Sequence, residues 1–358
     1  MLLSVIIPTY NEKHNIIPLT QRLCRCLEGR EFEILFVDDS TDRTPQVLEE
    51  LSRRDGRVRY LHRVNQRGLA TAVVEGFRAA RGEILAVLDA DLQHPPELLP
   101  QMLDHILRGY DLVIASRFVP GASDSGLNFQ RKLVSLAARL AGRLLLKSLR
   151  PVRDPLSGYF MLRREVIEGV PLSPLGWKIL AEILVRGRYS RVVEVPFTFQ
   201  RRLNDRSKMN ITEQLNYLRH LWRLLRSSPE DLRFWKFCLV GTCGVAVNFA
   251  FFALFTFLLA LDVLFSALLA SSLAMYANFL LNDAITWNQP KHDHVLVRAA
   301  KFYLFSGTGM LLNAAVLSLL HSYWQVPALW ANGMGILAAT AWNYYANNRW
   351  TFTARSFR

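Results

Sequence analysis

Asp89 and Asp91 stand one residue apart in Leu88-Asp89-Ala90-Asp91-Leu92-Gln93, straight after an apolar run. Two carboxylates on a turn can bind a hard cation that also takes oxygens from a diphosphate, and Mg2+ typically uses one or two protein carboxylates in this way. The spacing alone occurs by chance in many chains; the apolar strand before it and Gln93 beside it give it meaning. Asp38 and Asp39 close a second apolar run and lead into Ser40, Thr41 and Asp42. Helix N-capping ahead of Pro45 accounts for Thr41 or Asp42. It does not account for both Asp38 and Asp39, whose carboxylates could hold ribose hydroxyls or a base edge. Farther on, Arg131 and Ser135 lie one helical turn apart and share a face, and arginine suits bidentate phosphate binding. Arg117 and Arg131, each taken alone, are equally consistent with surface decoration.

The elements that must position these groups alternate. Short apolar runs at Ser4–Ile7, Phe32–Val37, Val58–Leu61, Ile84–Leu88 and Leu112–Ala115 read as strands separated by helical stretches, an α/β pattern. The first, second and fourth lead into Asn11 and Glu12, Asp38 and Asp39, and Asp89 and Asp91. In a parallel sheet the carboxyl ends of strands share one edge, where ligands bind, so three strands deliver carboxylates to one rim. Two amphipathic helices follow. The first, expected over about 128–150, carries Lys132, Arg139, Arg143, Lys147 and Arg150 on one face and Leu133, Ala137, Leu140, Ala141 and Leu144 on another. The second, Ile211–Ser228, sets Leu215, Leu218, Trp222 and Leu225 against Arg219, Arg223 and Arg226. Single helices of this kind commonly cover a soluble core; basic faces beside membrane segments favour helices lying in the bilayer interface.

Those membrane segments fill the last third of the 358 residues, a length with room for about two domains. No residue is charged from Phe237 to Leu261, from Val263 to Asn282, or between Lys301 and Arg349, where His321 is the one titratable base. A span needs about 20 apolar residues, which predicts four helices at roughly 237–259, 263–283, 302–322 and 327–347. Arg233, Lys236, Lys291, Arg298, Lys301, Arg349, Arg355 and Arg358 all fall on one side, while the turns near Asp262 and Tyr323–Pro327 carry no Lys or Arg. The positive-inside rule then makes both termini and the N-terminal half cytoplasmic. Leu2–Ile7 lacks a basic leader and is stopped by Pro8, so it reads as a strand rather than a signal peptide. The net charge of +13 suits nucleic acid or an anionic membrane surface; the crowding of basic residues at the approaches to apolar segments decides for the membrane, with no nucleic-acid partner. Cys24, Cys26, Cys238 and Cys243 show no metal-ligand spacing and read as structural filler.

The membrane half repeats at an offset of 65 residues: Lys236 with Lys301, Gly244 with Gly309, Asn248 with Asn313, Asn278 with Asn343, Asn282 with Asn347, and Thr286 with Thr351. Each unit holds two spans, so the copies keep one orientation, as in a parallel repeat. Asparagines in apolar helices need partners and are expected inside the bundle, either as helix–helix glue or as a polar path for a lipid headgroup.

Ser4-Val5-Ile6-Ile7-Pro8-Thr9-Tyr10-Asn11-Glu12, Val37-Asp38-Asp39 and Asp89-Ala90-Asp91-Leu92-Gln93-His94-Pro95-Pro96-Glu97 resemble glycosyltransferase family 2, with a GT-A fold. More narrowly, with Ser116-Arg117-Phe118, Arg131-Lys132-Leu133, Asp154–Phe160 and Glu194–Phe197, the chain resembles polyprenyl-phosphate (dolichol-phosphate mannose) glycosyltransferases. The C-terminal half is similar to the GtrA-like four-helix membrane domain. This implies an α/β GT-A catalytic domain over 1–210, an interfacial helix or linker over 211–230 and a transmembrane domain over 231–358. It further implies that Pro8, Tyr10, Glu12, Val37, Asp39 and Ala90 line the nucleotide pocket and that Asp89, Asp91 and Gln93 hold Mg2+ or Mn2+. Arg202 and Lys208 would clamp the donor diphosphate; Arg117, Arg131 and Ser135 would grip the acceptor phosphate. Asp89, Asp91, Arg117 and Arg131 are thus the expected catalytic set. Many relatives carry an extra residue or a Gly in the Asp38-Asp39-Ser40 turn, and many carry Gly where Asp205 stands, so this chain departs at both places.

The expected reaction moves a hexose, mannose before glucose, from GDP-mannose or UDP-glucose to a polyprenyl or dolichyl phosphate with inversion. A phosphate monoester is largely dianionic at neutral pH and needs no general base. A processive polysaccharide synthase is disfavoured because Gln200-Arg201-Arg202-Leu203 lacks the Trp of a Q-x-x-R-W segment. A lipid-sugar flippase with an inactive first half is opposed by the intact Asp89, Asp91, Arg202 and Lys208. Asp154 is open to two readings, orienting a hydroxyl or capping the turn at Pro155.

Overall fold

The computed structural model describes residues 2–64, 67–123, 129–199 and 211–353; the side chains of 129–131 and 211–213 lie outside that description. The chain separates into two compact units, Met1–Ser228 and Pro229–Arg358.

The first unit is built on β1 (Leu3–Thr9), β2 (Phe32–Asp38), β3 (Val58–His62), β4 (Ile84–Val87), β5 (Leu112–Ser116), β6 (Phe160–Arg163) and β7 (Val192–Pro196), in the order β3-β2-β1-β4-β6-β5-β7. β3, β2, β1 and β4 run parallel. Every residue of β1, β2 and β4 is buried, as expected of parallel strands covered on both faces, whose side chains need not alternate. β5 and β7 also pair parallel, while β6 runs antiparallel to both β4 and β5, so the sheet is mixed. Phe160, Met161 and Leu162 are buried there, so this four-residue strand leaves no alternation to mark it. Helices α1 (Ile16–Cys26), α2 (Thr44–Arg54) and α4 (Leu99–Leu107) pack on the face carrying Leu3, Val5, Ile7 and Phe36. On the other face α3 (Leu69–Ala79) meets β1 through Gly76, where a Cβ would overlap Ile6.

α5 (Phe129–Leu145) ends five residues before the expected limit at 150. Leu146 turns extended and, like Leu149, is fully buried; the chain leaves the helix to bury them. Lys147 and Arg150 therefore lie beyond it, with Arg150 Nε folded back on the Arg143 carbonyl (3.1 Å). α6 (Ile179–Arg186) and α7 (Ile211–Ser227) complete the unit. α7 is tied to α5 by Tyr217 Oη donating to the Ala138 carbonyl (2.9 Å) and to α6 by His220 Nε2 against Glu182 Oε2 (3.2 Å). Leu225, expected beside Trp222 on one apolar face, is instead buried with Leu221 and Leu224. The other leucines part company with it: Leu133, Leu136, Leu140 and Leu144 of α5 and Leu215, Leu218 and Trp222 of α7 are each 40–61% exposed.

The second unit holds α8 (Pro229–Ala253), α9 (Val263–Leu281), α10 (Val295–Ser318) and α11 (Ala328–Ala346). Among the described residues the first three, with their terminal turns, are long and apolar enough to cross a membrane; α11 falls short of that mark. The repeat is visible in the backbone. Ala260 and Gln325 share positive φ (+51° and +56°) at equivalent hairpin turns. All four helices end in a wide turn closed by an i→i+5 bond: Leu259 and Trp324 donate to Leu254 and Leu319, Trp287 and Phe352 to Asn282 and Asn347. The contacts repeat as well. Gly244 lies against the Asn278 carboxamide and Gly309 against that of Asn343, so close that a Cβ would overlap either. Lys236 and Lys301 donate to the carbonyls of Ile285 and Trp350 (3.3 Å each). Across the copies the relation is reciprocal: Phe279 meets Phe302 (5.7 Å) as Tyr344 meets Phe237 (5.6 Å). Trp287 stacks on its own counterpart, Phe352, at 4.4 Å.

Candidate active site

Adjacent parallel strands bring the polar strand ends to one edge. The register pairs Pro8 with Val37 and Thr9 with Asp38, so Tyr10 and Glu12 leave β1 where Asp39 leaves β2. The two aspartates of β2 are held by protein donors. Asp38 accepts from Thr9 Oγ1 (3.0 Å) and Ser40 Oγ (2.5 Å) and meets His62 Nδ1 at 2.8 Å. Asp39 takes both arms of Arg63, Nε at 2.7 Å and Nη2 at 2.6 Å, and the Gly68 N–H at 3.0 Å. Arg63 and Asp39 are buried together; removing one partner of such a pair costs about 3–5 kcal/mol, because the other charge is left uncompensated. Asn11, at φ +59°, accepts from the backbone N–H groups of Thr41 and Asp42. Asparagine tolerates this left-handed conformation better than most residues. Glu12 receives the Asn15 carboxamide at 2.7 Å, and its own N–H donates to Thr44 Oγ1.

The turn after β4 carries Asp89, buried Ala90, Asp91 and Gln93, with Leu92 at φ +62°. A leucine held there is strained, and such strain persists where surrounding contacts over-determine it. Asp91 Oδ1 accepts the Gln93 N–H (3.1 Å), and the Asp89 N–H donates to His94 Nδ1 (3.1 Å). The His94 ring sits among Tyr159 (5.2 Å), Phe197 (5.7 Å) and Phe199 (5.7 Å). Burial raises the Tyr159 hydroxyl well above its ordinary range, so it stays a donor, to the Pro95 carbonyl at 3.0 Å. The residues fit a divalent cation. Asp89 is a third exposed (33%) beside the nearly buried Asp91, two carboxylates on one turn of the kind a hard cation takes together with diphosphate oxygens.

The aromatic set continues to the next cations. Arg117 lies over Phe199 (5.6 Å) and Phe118 (5.3 Å), and Arg139 of α5 over the Phe118 ring (3.9 Å). Arg117 donates Nε and Nη2 to the two oxygens of buried Asp154 (2.8 and 3.0 Å). Glu194 in turn accepts the N–H groups of Arg153 and Asp154 (2.8 and 2.9 Å). Asp154 therefore orients Arg117.

A dolichol-phosphate mannosyltransferase of Pyrococcus furiosus is 40% identical over 353 residues, which are 98% of this chain and 99% of that one. The chain belongs to the dolichol-phosphate mannosyltransferase family. A dolichol-phosphate mannosyltransferase of Saccharomyces cerevisiae is 36% identical over 62% of this chain and 86% of its own. A polyprenol monophosphomannose synthase of Mycolicibacterium smegmatis is 37% identical over 58% and 80%. The model described as glycosyl transferase family 2 matches residues 4–170, and the GtrA/DPMS transmembrane domain matches 236–352. The family membership makes the chain an enzyme, a polyprenyl-phosphate glycosyltransferase, with a GT-A catalytic fold and a GtrA-like membrane domain.

Of the residues that the family resemblance singled out, the structure gathers Pro8, Tyr10, Glu12, Val37 and Asp39 at one strand edge. It sets Asp89, Ala90, Asp91 and Gln93 on the neighbouring turn. Ser135 is half-buried on α5, and Arg131 is in its first turn with its side chain outside the described residues; Arg202 and Lys208 lie outside them altogether. The sequence pattern gave no role to Arg63, Gly68 or Phe199, and placed Arg139 only on the basic face of its helix. His94 had a signal, its place in the Asp89–Glu97 motif.

Proposed function

We propose that the enzyme transfers mannose from GDP-mannose to a polyprenyl or dolichyl phosphate, with inversion, at the cytoplasmic membrane face. The observation that carries this reading is one unit holding both the Asp89–Asp91 turn and, through Arg117, Phe118 and Arg139, a helix whose leucines face outward. In this reading Pro8, Tyr10, Glu12, Val37, Asp39 and Ala90 hold the nucleoside, and Arg202 and Lys208 the diphosphate. Asp89, Asp91 and Gln93 hold Mg2+ or Mn2+, which when bound offsets charge on the departing nucleoside diphosphate. Arg117, Arg131 and Ser135 hold the acceptor phosphate, already anionic, so alignment for in-line attack is the protein's main task. Asp154, which takes Nε and Nη2 of Arg117, fixes the direction of that guanidinium.

The exposed leucines of α5 and α7 support insertion into the interface, where apolar faces sink among headgroups while basic faces meet anionic lipid. In the second unit Arg233, Lys236, Arg298 and Lys301 all bond residues at the second ends of the two hairpins. They therefore share one end of the bundle, and the positive-inside rule makes it cytoplasmic. In the deciding experiment the purified chain is incubated with radiolabelled GDP-mannose, UDP-glucose and related donors, a polyprenyl phosphate, and Mg2+ or Mn2+. Mannosyl lipid is the expected product; no lipid-linked product from any pair would overturn the reading.

A further inference from the structure

We propose that Arg67 reads the nucleobase of the donor against the Tyr10 ring and selects guanine; this rests on the reading of the strand edge as a sugar-nucleotide site. Arg67 lies between β3 and α3, with its guanidinium carbon 4.4 Å from the centroid of the Tyr10 ring. Tyr10 leaves β1 at the edge where Asp39 leaves β2. Arg67 is exposed, yet its backbone is fixed from the next residue. The Gly68 N–H donates to Asp39 Oδ2 (3.0 Å), and its carbonyl accepts Arg63 Nη2 (3.1 Å). Gly68 adopts φ +153°, and a Cβ there would come 2.9 Å from Thr71 Oγ1. The buried Arg63–Asp39 pair thus clamps the loop and sets the Arg67 fork over an aromatic plane, where cation–π attraction holds it.

A guanidinium has donors only. Guanine presents two adjacent acceptors, O6 and N7, which match the fork; adenine offers one acceptor beside a donor, and a pyrimidine such as thymine has the single O4 acceptor on that edge. Uracil shares that O4. A base lying beside the Arg67 fork on the Tyr10 ring is therefore discriminated by its edge. Arg63 is not available for this task, because its Nε and Nη2 are on Asp39 and its Nη1 is on Thr71 and Glu75.

The test measures competition by GDP and by UDP, with Mg2+, against donor binding to the full-length enzyme in nanodiscs, for wild type, R67A and R67K. R67A is expected to weaken GDP about 10- to 100-fold and UDP less than about threefold. R67K, a point charge without a fork, is expected to recover little of the selectivity. Equal losses for GDP and UDP, unchanged constants in R67A, or wild-type selectivity in R67K would each overturn the proposal. The two readings separate cleanly. Mannosyl transfer by wild type with an unaltered GDP-to-UDP ratio in R67A leaves the transferase reading standing and removes this one. Collapse of that ratio in R67A, with no lipid product from wild type, does the reverse.

Discussion

Asp38 and Asp39 are each held by three protein donors, while Asp89 and Asp91 stand on a strained turn. Asp39 is thus fixed at the edge proposed for the nucleoside, and the second pair is expected to face the donor diphosphate and its metal. Asp91→Ala is expected to reduce transfer to background in the labelled-donor assay; substantial activity with metal present would count against the assignment. Arg63→Ala acts differently. It strands a buried carboxylate, and about 3 kcal/mol of stability is expected to go, read as a lower thermal midpoint. Glu33 supplies a pH signature. Burial alone would raise its pKa, but hydrogen bonds from Ser4, the Arg81 N–H and Arg59 bring it below the ordinary value. A depressed folded pKa gives stability that is present above the unfolded value, about 4.3, and is lost as pH falls through the folded one. The thermal midpoint should therefore drop on acidification below about pH 4.3 and do so less steeply in Glu33→Gln; parallel curves would refute the linkage.

α5 and α7 each have a face that packs inward and another that no part of their own unit covers. Tyr217, Leu221, Leu224 and Leu225 are buried, whereas Leu218 and Trp222 are not. Leu218→Glu combined with Trp222→Glu should leave the thermal midpoint nearly unchanged, since surface substitutions are usually within about 0.5 kcal/mol. Transfer to a long-chain acceptor in proteoliposomes should fall on the order of tenfold, the effect of about 1.4 kcal/mol lost at the interface. An equal loss with a short, water-soluble acceptor phosphate would assign these residues to the chemistry instead. In the membrane unit, Gly244 and Gly309 admit the carboxamides of Asn278 and Asn343. Of the two expectations for these asparagines, helix–helix packing is what this geometry supports.

At the scale of the whole molecule, the second unit is a pseudo-twofold pair whose symmetry is broken in charge. Arg298 donates to both oxygens of Asp283 (3.0 Å each), with Lys291 3.3 Å away. The equivalent Arg233 meets the neutral Asn348 at 3.1 Å, which also accepts the Trp287 indole N–H. Asn348→Asp should restore the missing pair and raise stability by about 0.5–1 kcal/mol. Asp283→Asn should lower it by more, because Arg298 and Lys291 are largely buried there. Thermal unfolding of both variants in one detergent checks the order.

The sequence by itself determined the division into two halves, the carboxylate-bearing strand ends, the hairpin duplication and the family. Each is written locally, in runs of apolar residues, in their polar terminators or in identical residues at a fixed offset. Tertiary structure decided what depends on residues far apart in the chain. β6 enters between β4 and β5 because two buried neighbours accept it, and α5 stops at Leu145 because Leu146 and Leu149 have a core to enter. Leu225 leaves the face of Trp222 for the same reason. Asp39 finds Arg63, and Arg117 finds Asp154, across 24 and 37 residues. Nothing in the spacing of a basic chain singles out which arginine will neutralise which buried carboxylate; that choice is made by strand order and register, once packing has brought the edges together.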